Sequence, residues 1–277
     1  MKVRLKQLSI LTLTLIMLTA SVGCSKIDQL KLKVGLKNND FEYIKDNKAD
    51  KIIIQSTRDK GFRFIVTDKR TIRELYEILS SAKKVEQKSS LEPDYIFEIH
   101  EGGTIHTFNY ITGIDKNDYG NLYNEENTYI VSKRIDYDII KNLWNYRAPR
   151  EFKTTYYGSI ISFLEQYGSN ITKNSSNVGI DLSQDIEAAK YMLSLDIEEF
   201  KENLAETMST AKLVEKNSDQ FDVLVTVKTQ GYKTTVYKAI ITVYDKKDNS
   251  ETKYYINNVH ENGEWEIRVT DTKPDKF

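Results

Sequence analysis

Cys24 is the only cysteine among 277 residues, and only three histidines, His100, His106 and His260, accompany it. Thiol and imidazole chemistry therefore have few places to occur. A thiol with no partner in its own chain cannot form an internal disulfide, so no disulfide framework is available. A zinc site would need histidines converging on one point. His100 and His106 flank Glu101-Gly102-Gly103-Thr104, and a hairpin there sends them to opposite sheet faces. His106 falls among Tyr95, Phe97 and Phe108, the setting of a satisfied core histidine. His260 precedes a turn with no orienting partner of the kind a general base requires.

The 41 acidic residues offer another route, through a carboxylate pair that converges only in the fold. Their spacing puts nearly all of them on helix surfaces, in turns or on polar strand faces, so a solvated surface is the expectation. One loop imitates a calcium site. Asp115, Asn117, Gly120, Leu122 and Glu126 occupy the first, third, sixth, eighth and twelfth places of such a loop. Tyr119 stands where the fifth place needs an oxygen ligand, and a strand precedes where a helix belongs. Calcium held by Asp115, Asn117 and Glu126 thus competes with a plain polar loop, the preferred reading. Nucleophile elbows, phosphate-cradling glycine loops and paired zinc motifs are missing from the sequence.

The surroundings of Cys24 give that residue a role. Lys2, Arg4 and Lys6 precede an apolar run from Leu8 to Ala20, followed by small residues. This is the layout of a secretory signal, too short for a comfortable membrane span. Ser21-Val22-Gly23-Cys24 resembles the lipobox of bacterial lipoproteins, with Ser21 where an aliphatic residue is usual. The resemblance spans residues 1–25. It implies cleavage before Cys24, a covalent diacylglyceryl lipid on its sulfur, and a protein anchored to the outer face of the bacterial cell membrane. Two acyl chains, at ~0.8 kcal/mol per buried methylene, suffice for stable anchoring. An ordinary signal peptide cut nearby is the competing reading. No other cofactor is expected.

The formal charge is −1, and about −4 once the basic signal residues are removed. Basic and acidic residues are interspersed, which argues against a nucleic-acid partner. Beyond the signal no polybasic patch stands out. The length suggests two domains of roughly 100 residues each. Eighteen tyrosines and 10 phenylalanines add apolar area to a modest aliphatic content.

Residues 24–49 read as a polar tether without sustained periodicity. An N-terminal α+β domain follows over 50–148. Ile52 to Ile54 and the alternating Phe62, Phe64 and Val66 predict strands. Asp68 is placed to cap a helix carrying Ile72, Leu75, Tyr76 and Leu79. Tyr95–His100 and Ile105–Tyr110 predict a hairpin with Tyr95, Phe97, Ile99, His106, Phe108 and Tyr110 on its core face. Ser132 introduces a second helix through Ile135, Ile139, Leu143 and Trp144. Residues 149–177 supply a helix ended by Gly168 and a polar connector. In 178–277, Asp181 and Asp196 are candidate caps of two helices, after which the period falls to two through four strands. Helices followed by an antiparallel meander make a second α+β domain, with a curved, cone-like sheet.

Ala188 to Leu195, with the ending Asn262-Gly263-Glu264-Trp265-Glu266-Ile267, resembles the nuclear-transport-factor-like superfamily over Val178 to Thr270. That resemblance implies a curved sheet wrapped around helices, often with a pocket. The Asp68 helix and Pro93-Asp94-Tyr95 more faintly resemble the small domain of YhfM-like lipoproteins. Candidate pocket residues are Tyr237, Ile241, Tyr254 and Trp265, for each of which core packing is the competing role. The expectation is a non-enzymatic binding or scaffolding module of the cell envelope, meeting the membrane through its lipid and an envelope protein or small ligand through its domains. The alternative is an envelope hydrolase or isomerase using the second domain's pocket; an assembly factor docking through a sheet edge is a third reading.

Overall fold

The computed structural model describes residues 36–114, 119–141, 150–172, 177–275 and 277. Among them the fold is α+β, built on two sheets with few helices, one sheet curled into a half-barrel. The first sheet has the order β2-β1-β4-β5-β6-β7-β3, all pairs antiparallel. Its long strands are β1 (Ala49–Ser56), β2 (Arg63–Val66), β4 (Tyr95–Glu101) and β5 (Thr104–Tyr110); β3 (Lys83–Val85), β6 (Leu122–Tyr123) and β7 (Thr128–Ile130) are short. Helix α1 (Lys69–Ser80) packs on the face that carries Ile52, Ile54, Phe97, Ile99, Phe108 and Tyr110.

Local chemistry sets the ends of these elements. The Asp68 carboxylate accepts the Thr71 amide at 2.8 Å, capping α1. At the other end the Asn38 side-chain amide donates to the Leu79 and Ala82 carbonyls at 3.0 and 2.8 Å, satisfying groups a helix terminus leaves open. The β4–β5 register pairs Glu101 with Thr104, Ile99 with His106, Phe97 with Phe108 and Tyr95 with Tyr110, as the alternation predicts.

Two segments of this domain differ from expectation. Residues from Lys37 onward belong to the fold, not to a leash: a 3-10 segment over Glu42–Asn47, kinked at Lys45 and Asp46, follows Phe41, and Phe41 and Ile44 are buried in the core. Such a short, kinked segment cannot display a period, which is why Phe41 and Ile44 read as isolated apolar residues. The segment Ile135–Ile140 is wound as a π-helix, with Ile135, Ile139 and Ile140 buried. Leu143 and Trp144 lie outside the described residues.

The second sheet runs β13-β12-β11-β10-β8-β9, with β14 also pairing β12. Three long strands, β10 (Val223–Tyr232), β11 (Val236–Asp245) and β12 (Ser250–Glu261), form the antiparallel meander, and the last predicted strand divides into β13 (Glu264–Glu266) and β14 (Val269–Thr270). The helices α2 (Phe152–Ile171), α3 (Ile186–Ala189) and α4 (Ser194–Thr207) supply the other layer. Gly168 does not end α2. The helix continues to Ile171, which reaches the core, and Thr172 closes it on the Gly168 carbonyl. Nor does Asp181 cap a helix: it ends β8 (Val178–Asp181), and α3 begins five residues later, behind Asp185. Strands β8 and β9 (Ala211–Leu213) lie parallel to β10 and to each other, an addition the meander pattern does not reveal.

Candidate functional site

Among the described residues, a dense polar constellation lies between the two domains. Asp94, only 2% exposed, stands directly before β4, where its own amide donates to the Tyr110 carbonyl at 2.8 Å. The Arg58 guanidinium, just past β1, donates Nη1 to Asp94 Oδ1 at 2.7 Å and to the Met192 carbonyl at 3.2 Å. Its Nη2 donates to Ser194 Oγ, which in turn donates to the Glu92 carbonyl at 2.6 Å. Asp94 Oδ1 also accepts the Ser194 amide at 2.7 Å, and Oδ2 accepts the Thr112 amide at 2.9 Å.

This arrangement answers a deficiency in the second domain. Leu193 occupies the N-cap of α4 and has no side-chain oxygen to offer the first turn. Asp94 supplies that oxygen from 100 residues away, placing negative charge at the positive end of the helix dipole. Leu193 meanwhile packs against the first domain's core. Gly113 adds a steric condition: at φ +86° it favours glycine, and a Cβ there would sit 3.3 Å from Leu195 Cδ2. Tyr157 of α2 faces the same region, its hydroxyl pKa raised first by burial and then by Asp196. Asp196, in the first turn of α4, is itself pushed upward by burial, against the pull of Lys153.

A second buried carboxylate lies inside the second domain. Asp185, 1% exposed, accepts Thr229 Oγ1 at 2.8 Å and the Thr229 amide at 3.1 Å, tying α3 to β10. The Tyr156 hydroxyl lies beside it without full hydrogen-bond geometry, and Tyr237 is 3.5 Å from Thr229 Oγ1. Burial raises the Asp185 pKa, and the Thr229 and Tyr156 contacts only partly offset this. Tyr156 and Tyr237 are both driven well above the ordinary tyrosine range by burial. The expectation of solvated acids therefore fails at Asp94 and Asp185, whose polar partners lie far along the chain.

The residues singled out from sequence are scattered. Cys24, Asp115 and Asn117 lie outside the described residues. Glu126 is exposed in a turn, its amide bonded to Asn124 Oδ1. Gly120 bridges Lys88, and a Cβ there would fall 2.1 Å from Thr128 Cγ2, so close packing explains that glycine without a metal. Tyr237, Ile241 and Tyr254 are buried in the second core, and Trp265 is half-buried against it. His100 and His106 sit on opposite faces, their Nε2 atoms 3.6 Å from Glu98 and 3.3 Å from Glu101 respectively. His106 is half-buried and also stacks on Tyr43, with centroids 3.8 Å apart. His260 lies 3.4 Å from Arg150. Among the described residues no three His, Cys, Asp or Glu side chains are grouped to hold a metal, and no helix is long and apolar enough to cross a membrane.

Residues 45–149 match the family described as YhfM protein. No curated protein and no solved structure matched the chain. The YhfM-like span includes Arg58 and Asp94 but neither Met192 nor Ser194, so the clamp joins the matched domain to the part of the chain beyond it. The Arg58–Asp94–Ser194 set escaped sequence reasoning. Its one local trace is Leu193 at a helix start with no capping side chain.

Proposed function

We propose that this chain is a lipid-anchored, extracytoplasmic protein of the bacterial cell envelope, working as a non-enzymatic binding or scaffolding module. The clamp at Asp94 carries the reading. A buried carboxylate, a guanidinium and a helix amide are committed to holding two sheet domains in one relative placement, which serves presentation of a composite surface. Tyr237, Ile241 and Ile256 fill the second sheet's inner face, a packing suited to a scaffold. The nuclear-transport-factor-like reading of that domain rests on its order of helices before meander. The anchor rests on the basic start, the apolar run and the lipobox-like residues before Cys24.

Two measurements test this. Mass spectrometry of protein extracted from membranes is expected to find a diacylglyceryl group on an N-terminal Cys24; an unmodified mature N-terminus there defeats the anchor. Crosslinking in intact cells is expected to recover an envelope protein, and Asp94→Ala to weaken that recovery. Undiminished recovery from a domain-uncoupled variant defeats the composite surface. A second reading, an envelope hydrolase or isomerase, is favoured by Asp185, whose raised pKa beside Tyr156 suits a general acid or base. It requires Asp185→Asn to abolish the protein's cellular role while the fold persists.

A further inference from the structure

We propose that the groove between the Glu42–Asn47 helix and α1 binds the phosphate of anionic membrane lipids, seating the first domain against the bilayer. The proposal deepens the lipid-anchor reading of Cys24 and rests on it. The groove has a volume of about 350 Å³, within the range of small-ligand sites. Its floor is Ile44, Ile72 and Tyr76, and its rim carries Lys45, Lys69 and Arg73 alongside Asp46 and Glu77. Glu77 is neutralised by Lys37, 3.0 Å away, and Lys45 lies 3.6 Å from Glu42. Lys69 and Arg73 are exposed and have no acidic partner among the described residues.

Cations gather at the start of α1, where Asp68 at the N-cap is the carboxylate that faces them. The first five residues of α1 include Lys69, Arg70 and Arg73 and no acid, although the positive end of the dipole favours acids there. An anion in the groove offers Lys69 and Arg73 the counter-charge that neither finds among the described residues. Position supplies the second argument. Lys37 contacts both Glu77 and Tyr76, so the chain enters the fold beside the groove. Cys24 precedes Lys37 by 13 residues, a span of at most about 45 Å in any conformation. Lys26, Lys31 and Lys33 stand in that stretch against the single acid Asp28. A lipidated Cys24 therefore keeps this cationic groove within reach of the headgroups, where each basic residue adds to the attraction.

The test removes the lipid so that the basic residues act without the anchor, and the groove is then varied separately. The mature chain from residue 24, carrying Cys24→Ser, is sedimented with phosphatidylcholine vesicles with and without phosphatidylglycerol. Binding is expected only to the anionic vesicles, falling steeply with salt. The double variant Lys69→Glu/Arg73→Glu is expected to lose roughly 30-fold or more in affinity. Far-UV circular dichroism is expected to show the variant still folded, so that its loss of binding reports the groove. Equal binding to both vesicle types, or undiminished binding by the double variant, overturns the proposal. Glycerol 1-phosphate is the remaining probe: saturable binding to it without vesicle binding identifies a soluble phosphate ester as the ligand and overturns membrane docking. The lipid mass on Cys24 is measured separately, so failure of the anchor and failure of the groove are distinguishable.

Discussion

Asp94 and Asp185 are both almost wholly buried, yet they solve the problem of a buried carboxylate in opposite ways. Asp94 meets a guanidinium and two backbone amides contributed by both domains. Asp185 meets a hydroxyl and an amide of one residue, Thr229, with tyrosine hydroxyls nearby and no cation paired to it among the described residues. The first arrangement compensates a full negative charge, so removing either partner strands the other. The second leaves the charge less compensated, and burial raises the Asp185 pKa. One carboxylate joins domains as an ion; the other joins a short helix to a strand mainly as a hydrogen-bond acceptor.

The contrast is broken most directly at the clamp. Asp94→Ala strands Arg58 and opens the α4 amide, and is expected to cost about 3–5 kcal/mol. Calorimetry should then show two transitions where the parent shows one; a single transition at the parental temperature contradicts the clamp. A double-mutant cycle with Arg58→Ala should return a coupling of about 0.5–3 kcal/mol, and strict additivity would separate the two side chains energetically.

At Asp185 the expected effects are smaller and depend on the replacement. Asp185→Ala leaves the buried Thr229 groups unsatisfied, at about 1–3 kcal/mol in denaturant melts. Asp185→Asn keeps an acceptor and is expected to be nearly neutral at pH 7. Its pH dependence is the sharper observable. Because burial raises the native pKa above the unfolded value of about 3.9, this group's stabilisation is full below that value. It is lost as pH rises through the native pKa. Asp185→Asn should remove that slope, and an unchanged profile would show that Asp185 is not its source. The smallest effect is expected at Asp68, an exposed carboxylate serving one helix: Asp68→Ala should lower the melting temperature less than either buried change.

Much of the first domain is legible in sequence because its signals are local. The Gly102-Gly103 turn and the alternation of Tyr95, Phe97 and Ile99 dictate the β4–β5 register, and Asp68 announces α1. Signals weaken where an element is short or its partner is distant. Phe41 and Ile44 flank and enter a kinked 3-10 segment with no readable period, and β8 with β9 join their sheet through parallel pairing. Tyr237, Ile241 and Tyr254 alternate as strand residues must, but alternation cannot distinguish a pocket wall from a core; packing makes them core.

The sequence by itself determined two α+β domains, the hairpin register and the setting of Cys24, since turn chemistry, capping and period two act between near neighbours. Tertiary structure decided which acids are buried and which cations share a groove. Asp94 meets Ser194 across 100 residues, and Lys45 meets Lys69 and Arg73 only once α1 packs on the Glu42–Asn47 helix. Electrostatic partnership is a property of distance in space, and nothing in a residue's own neighbourhood encodes the far side of the contact.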